Sequence, residues 1–89
     1  LNVLFSATGW EDYQFWLASD RAILDRLNRI IEDARRSPFQ GLGKPEPLKG
    51  NLKGFWSRRL TTEHRLVYRV VGTGPDQRIE IAACRYHYT

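Results

Sequence analysis

Two periods of hydrophobic and polar positions run along this chain. Trp10, Tyr13, Trp16 and Leu17, and then Ile23, Leu27, Ile30, Ile31 and Ala34, recur every three or four residues, the spacing that gathers side chains on one face of a helix. The second run begins after Asp20, a good N-cap, and carries Arg26, Arg29, Asp33 and Arg36 on its polar side. It should stop near Ser37, because Pro38 disfavours a helical residue before it and cannot donate to the ladder. The first run is expected to start near Gly9 or Trp10, since Thr8 and Glu11 have the spacing of a capping box. Its aromatic stripe reads as core packing and is assigned no binding role.

Beyond the helices the period changes to that of strands. Phe55 to Leu60 and His64 to Val71 predict a hairpin around Thr61-Thr62-Glu63, and Arg78 to Tyr88 predicts a last strand after the turn Gly72 to Asp76. Leu1 to Phe5 is a short apolar run that predicts a first strand. Between helices and hairpin, Pro38 to Gly54 holds three prolines, four glycines and three lysines, a loop composition. A loop this long in a small domain is usually functional or mobile. The order β, α, α, β, β, β predicts an α+β fold with two N-terminal helices packed on one face of a mainly antiparallel sheet. The opposite face is then available for a site.

Composition narrows the class without naming a function. The chain has 89 residues, 42% hydrophobic and 27% charged, which predicts one folded domain over residues 1–89 and argues against disorder. No apolar stretch approaches the roughly 20 residues of a membrane span and no signal-peptide pattern is present, so a cytoplasmic location without membrane association is expected. Cys84 is the single cysteine, which excludes an internal disulfide and a cysteine-based zinc site. The chain begins at Leu1 and has no methionine, so its start is expected to have been processed, trimmed or altered. A formal charge of +4 favours a polyanionic partner, although modest positive charge also occurs without one.

The placement of the charges matters more than their sum. A turn centred on Thr62 sets Arg59 opposite Arg65, with Arg69 on the same face. Like charges so placed need compensation, either partial neutralisation by Glu63 on a solvated face or an anionic ligand such as a phosphate. Glu46 stands between two prolines in Lys44-Pro45-Glu46-Pro47, which restricts its backbone, and Lys49 follows closely. A carboxylate near cationic groups stays ionised and can accept a proton. His87, between Tyr86 and Tyr88, can donate one at working pH. Each of these residues alone is more often structural or incidental. A glutamate base, a histidine acid and an arginine clamp are together the parts needed for RNA cleavage without metal.

The same strings carry a resemblance. Trp10-Glu11-Asp12-Tyr13, Arg35-Arg36-Ser37-Pro38-Phe39, Gly43-Lys44-Pro45-Glu46-Pro47-Leu48-Lys49, Gly54-Phe55-Trp56-Ser57-Arg58-Arg59, Glu63-His64-Arg65-Leu66-Val67-Tyr68 and Ala82-Ala83-Cys84-Arg85-Tyr86-His87-Tyr88 occur in order. Together they resemble the YoeB (Txe) family of bacterial toxins within the RelE/ParE superfamily. The resemblance implies a microbial ribonuclease-like (RelE-like) fold and the toxin of a type II toxin–antitoxin pair. Such a toxin cuts mRNA in the ribosomal A site and halts translation. It further implies Glu46 as general base, His87 as general acid and Arg65 on the scissile phosphate, with Lys49, Arg59, Glu63 and Tyr88 around them.

The implied reaction is 2′-hydroxyl attack giving a 2′,3′-cyclic phosphate and a 5′-hydroxyl, with no metal or cofactor. The implied partners are a YefM-type antitoxin, ribosomal RNA, mRNA, operator DNA through the antitoxin complex, and a second copy of the chain in a homodimer. Two features depart from the family pattern, a longer turn at Gly72 to Gln77 and Thr89 after Tyr88. Two other readings remain open at this point. One is a non-enzymatic basic binding module that uses Arg59, Arg65 and Arg69. The other is a ParE-like gyrase poison on the same fold.

Overall fold

The computed structural model describes residues 1–86. It orders the elements as β1 (Asn2–Phe5), α1 (Ala7–Ser19), α2 (Arg21–Arg36), β2 (Glu46–Pro47), β3 (Trp56–Arg59), β4 (Arg65–Val71) and β5 (Arg78–Ala83), with single 3-10 turns at Gly50–Leu52 and Gly74–Asp76. The strands form one sheet in the order β1-β5-β4-β3-β2. Among the described strands only the β1–β5 pair is parallel. The α+β expectation and its element order therefore hold, with β2 as an addition within the long loop. Among the described residues no helix is long and apolar enough to cross a membrane.

The helix-facing layer of the sheet supplies Leu66 and Tyr68 from β4 and Ile79 and Ile81 from β5. Leu24, Leu27, Ile30, Ile31 and Ala34 of α2 and Trp16 of α1 pack against them. Each such leucine or isoleucine contributes about 1.5–3 kcal/mol relative to leaving it in water. Asp20 caps α2 as its sequence predicts, its carboxylate accepting from the Ile23 N–H at 3.1 Å.

α1 departs from its prediction at its start. It starts at Ala7, two to three residues early, and its cap is Ser6, whose hydroxyl accepts from the Gly9 N–H. The same hydroxyl donates to the Ala82 carbonyl, so a contact with β5 decides the helix start over the Thr8/Glu11 box. Gly9 permits the close approach this requires, since a Cβ there would stand 2.3 Å from the Ile81 carbonyl oxygen. The aromatic stripe is also not a single core face. Trp16 is buried, but Trp10 is 50% and Leu17 55% exposed. Trp10 stacks on Tyr13 at 5.9 Å, and Phe5 meets both rings edge-on at the surface.

The last strand ends at Ala83, with Cys84 to Tyr86 beyond it, and the expected strand residues His87 and Tyr88 lie outside the described residues. Tyr68 pairs with Ile81 and Val67 with Ala83, so Ala82 is an extra residue in β5, a bulge that bends the strand one residue before its end. Cys84 follows, buried, with its thiol pushed up to about 12 by burial and by the nearby Asp12 carboxylate.

Candidate active site

The loop leading to Glu46 is held from below by one arginine. Arg58 alternates with its neighbours along β3, so it points into the helix-facing layer and is fully buried. All five of its N–H groups are used. Nε donates to the Tyr68 hydroxyl at 3.0 Å, Nη1 to Asp33 Oδ2 at 2.7 Å and to the Leu42 carbonyl at 3.1 Å. Nη2 donates to the carbonyls of Ser37 at 2.6 Å and Gln40 at 3.0 Å. The Tyr68 hydroxyl in turn donates to the Pro38 carbonyl at 2.6 Å. The segment from Ser37 to Leu42, which has no regular structure to satisfy its carbonyls, is thus folded around a guanidinium. Asp33 supplies the counter-charge, and the Leu42 N–H and then Arg58 hold its carboxyl below the usual carboxylate range. Neither Asp33 nor Arg26 is simply an outer-face residue, as the helical period suggested. Arg26 donates to the Leu60 carbonyl at 2.7 Å and ties α2 to the hairpin.

From this anchor the chain passes through Gly43 at φ 79° and Lys44 at φ 52°, both left-handed, before Pro45. A Cβ on Gly43 would lie 2.9 Å from the Arg59 carbonyl oxygen. The Gly43 carbonyl accepts from the Arg59 N–H at 2.7 Å. β2 then pairs with β3, Glu46 opposite Ser57. On the sheet face away from the helices, Gly43, Lys44, Glu46, Ser57, Arg59 and Arg65 line a cleft of about 110 Å³.

Arg59 and Arg65 are opposite one another, as the turn predicts. Part of their compensation comes from backbone: Arg65 Nη1 donates to the carbonyls of Thr61 at 2.9 Å and His64 at 3.0 Å. Glu63 does not supply it, since among the described residues no ion pair joins Glu63 to either arginine. Arg69 is engaged elsewhere, paired with Glu80 at 2.7 Å and lying over the Phe55 ring.

Of the residues expected in the site, Glu46, Arg59 and Arg65 share this cleft. Lys49 does not line it; it is exposed at the start of the Gly50–Leu52 turn. Glu63 lines a separate groove of about 590 Å³ with Phe15, Trp16, Thr62, His64, Arg85 and Tyr86. His87 and Tyr88 lie outside the described residues. Lys44 and Ser57 are cleft residues that the sequence reading passed over. Ser57 follows from period-two alternation with Arg59, while Lys44 needed knowledge of its left-handed backbone.

Residues 5–88 match the family model described as YoeB-like toxin of bacterial type II toxin-antitoxin system. The chain belongs to the YoeB toxin family. It is 53% identical to Toxin YoeB of Escherichia coli over 88 residues, covering 99% of this chain and 100% of that one. It is 50% identical to Toxin YoeB of Streptomyces coelicolor over a similar span, 99% of this chain and 100% of that one. A solved YoeB/ParE toxin from Agrobacterium tumefaciens, 50% identical, superposes with a TM-score of 0.94 over 99% of this chain and 100% of that one. The toxin in a YoeB-YefM complex from Staphylococcus aureus, 42% identical, superposes with a TM-score of 0.86 over 99% and 98%.

In this YoeB-family chain the cleft sits where three ladder rows of β2, β3 and β4 meet the anchored loop. A carboxylate, two guanidiniums, an ammonium and a hydroxyl converge there on a concave polar surface. Such a surface suits an anionic group, whose charge the cations offset.

Proposed function

We propose that this YoeB-family toxin is a ribosome-dependent endoribonuclease that cuts mRNA in the A site without a metal. The observation that carries the reading is that Glu46, Arg59 and Arg65, from three different strands, line one cleft. Glu46 takes the proton of a ribose 2′-hydroxyl, the oxygen attacks the adjacent phosphorus, and the bond to the 5′-oxygen breaks. His87 returns a proton to that leaving oxygen. The products are a 2′,3′-cyclic phosphate and a 5′-hydroxyl. Arg65 clamps the phosphate as charge develops on it, Arg59 adds positive field beside it and Tyr88 completes the surroundings, while Lys49 and Glu63, which lie outside the cleft, take no part in the step. General base and general acid are both side chains, so no step is routed through a cofactor.

The same reading extends to partners. Staphylococcus aureus relatives are known as a YoeB-YefM heterotetramer and as a YoeB dimer. This chain is proposed to bind a YefM-type antitoxin in the cytoplasm, to pair with a second copy, and to meet operator DNA through the antitoxin complex. A basic surface and an acidic antitoxin tail that folds on binding are complementary.

The test is controlled expression with mapping of mRNA 5′ ends and detection of 2′,3′-cyclic phosphate on the upstream fragments. Glu46→Gln and His87→Gln should each lower cleavage at least about 100-fold, the range of a lost acid or base. Growth arrest with intact mRNA, or cleavage unchanged in both variants, refutes the reading.

A further inference from the structure

The backbone of the segment after β5 is fixed by four hydrogen bonds from two different parts of the fold. The Cys84 N–H donates to Asp12 Oδ2 at 3.0 Å, and the Cys84 carbonyl accepts from the Trp16 indole N–H at 2.8 Å. The Tyr86 N–H donates to His64 Nδ1 at 2.7 Å, and the Tyr86 carbonyl accepts from the Arg65 N–H at 3.1 Å. Tyr86 has φ 65°, a left-handed backbone that residues other than glycine adopt only when held there. We propose that His64 is a positioning residue for catalysis, its Nδ1 clasping the Tyr86 N–H and so setting the direction in which the chain continues to His87. The inference rests on the reading of His87 as general acid.

Three features make His64 the critical clasp. It is the only side chain among the described residues to which the Tyr86 backbone is hydrogen-bonded, and Arg65, the proposed phosphate clamp, holds the other side of the same residue. One dipeptide, His64-Arg65, therefore fixes both the clamp and the base of the tail. The imidazole is braced, since the Trp16 ring meets it edge-on at 4.7 Å and 81°. Trp16 in turn holds Cys84, so ring and tail are set against one support. Finally, Nδ1 must be unprotonated to accept, which places the ring proton on Nε2. The clasp thus needs an acceptor at one position and does not need a charge.

Cleavage of ribosome-bound mRNA is measured for wild type, His64→Leu, His64→Asn and His87→Gln, and for His64→Leu in the His87→Gln background. His64→Leu should lower kcat about 10- to 100-fold, the scale of an ångström misplacement, with KM changed less than about threefold. His64→Asn, whose Oδ1 replaces Nδ1 as acceptor, should recover kcat to within about threefold of wild type. The leucine should add nothing to His87→Gln, because the group being aimed is already gone.

An equal multiplicative loss in both backgrounds overturns the proposal, as does a folded His64→Leu protein with wild-type kcat or an asparagine that rescues nothing. If His64→Leu does not fold, His64→Phe takes its place. It removes the acceptor from the Tyr86 N–H and keeps a ring against Trp16, and the same double-variant comparison applies. A wild type that cuts no mRNA overturns the endonuclease reading and this one with it. An active wild type indifferent to His64→Leu overturns this one alone.

Discussion

Replacing Asp33 by asparagine isolates the charge that balances Arg58. The guanidinium is fully buried, and of its five acceptors only the Asp33 carboxylate is charged. One oxygen, Oδ2, accepts from both Arg58 Nη1 and the Leu42 N–H, so an asparagine Oδ1 can occupy its place and keep both hydrogen bonds. Removing one partner of a buried pair outright costs about 3–5 kcal/mol. With the hydrogen bonds kept, the expected loss is about 2–3 kcal/mol, nearly all of it the uncompensated cation. For a domain of this size that lowers Tm by about 10–20 °C.

Urea unfolding followed by tryptophan fluorescence measures the loss, and its pH dependence tests the cause. The folded Asp33 carboxyl is depressed below its ordinary value of 3.8, so its stabilisation is fully present above that value. It is lost as pH falls through the depressed folded value. The gap between wild type and Asp33→Asn should therefore be constant near neutrality and close in acid. Comparison of the two proteins removes the contribution of Glu32, whose carboxyl is also held low, first by Arg35, but which is unchanged in the variant. A gap below about 1 kcal/mol at pH 7, or one that stays open through the same acid range, refutes the account of Arg58 as a charge-balanced anchor.

Two further outcomes follow from the same geometry. Gly43→Ala should cost about 1–2 kcal/mol from its left-handed backbone alone. Because the new methyl presses on the Arg59 carbonyl, mRNA cleavage should fall by more than that stability loss explains; unchanged unfolding and cleavage would contradict the placement of the loop. Cys84 should resist iodoacetamide in the native protein at pH 8 and react only when urea unfolds it, since burial keeps the thiol protonated up to about 12. Rapid native alkylation, read by mass spectrometry, would show that the segment after β5 opens.

The parts of the fold legible in the sequence are those whose signals are local. The helical period of α2, its Asp20 cap and its Pro38 stop all act within one element, and the structure reproduces them. The facing of Arg59 and Arg65 needed only a turn and a period of two. What escaped depends on distant contacts. The Ser6 cap is selected by the Ala82 carbonyl, and the bend near the end of β5 by a bulge against β4. Arg58 looks like its neighbour Arg59 in sequence, yet alternation sends it into the core, where Asp33 waits on α2. That conflict between a charge and an inward position was a readable signal of a buried ion pair. Within the site, the prolines around Glu46 conveyed a constrained loop, but which lysine faces the cleft is decided by backbone handedness at Gly43 and Lys44.

The parallel pairing of β1 with β5 governs the order of folding. The first strand finds its partner in the last, and the Ser6 hydroxyl that starts α1 reaches across 76 residues to Ala82. During synthesis the two helices and the β3–β4 hairpin can form early, but the core lacks Ile79 and Ile81 until β5 leaves the ribosome, and β5 lies between β1 and β4. Sheet closure therefore waits on the last strand. A copy of this chain cut before β5 lacks Ile79 and Ile81 and leaves leucine and isoleucine of its helices uncovered, the kind of surface on which aggregation starts.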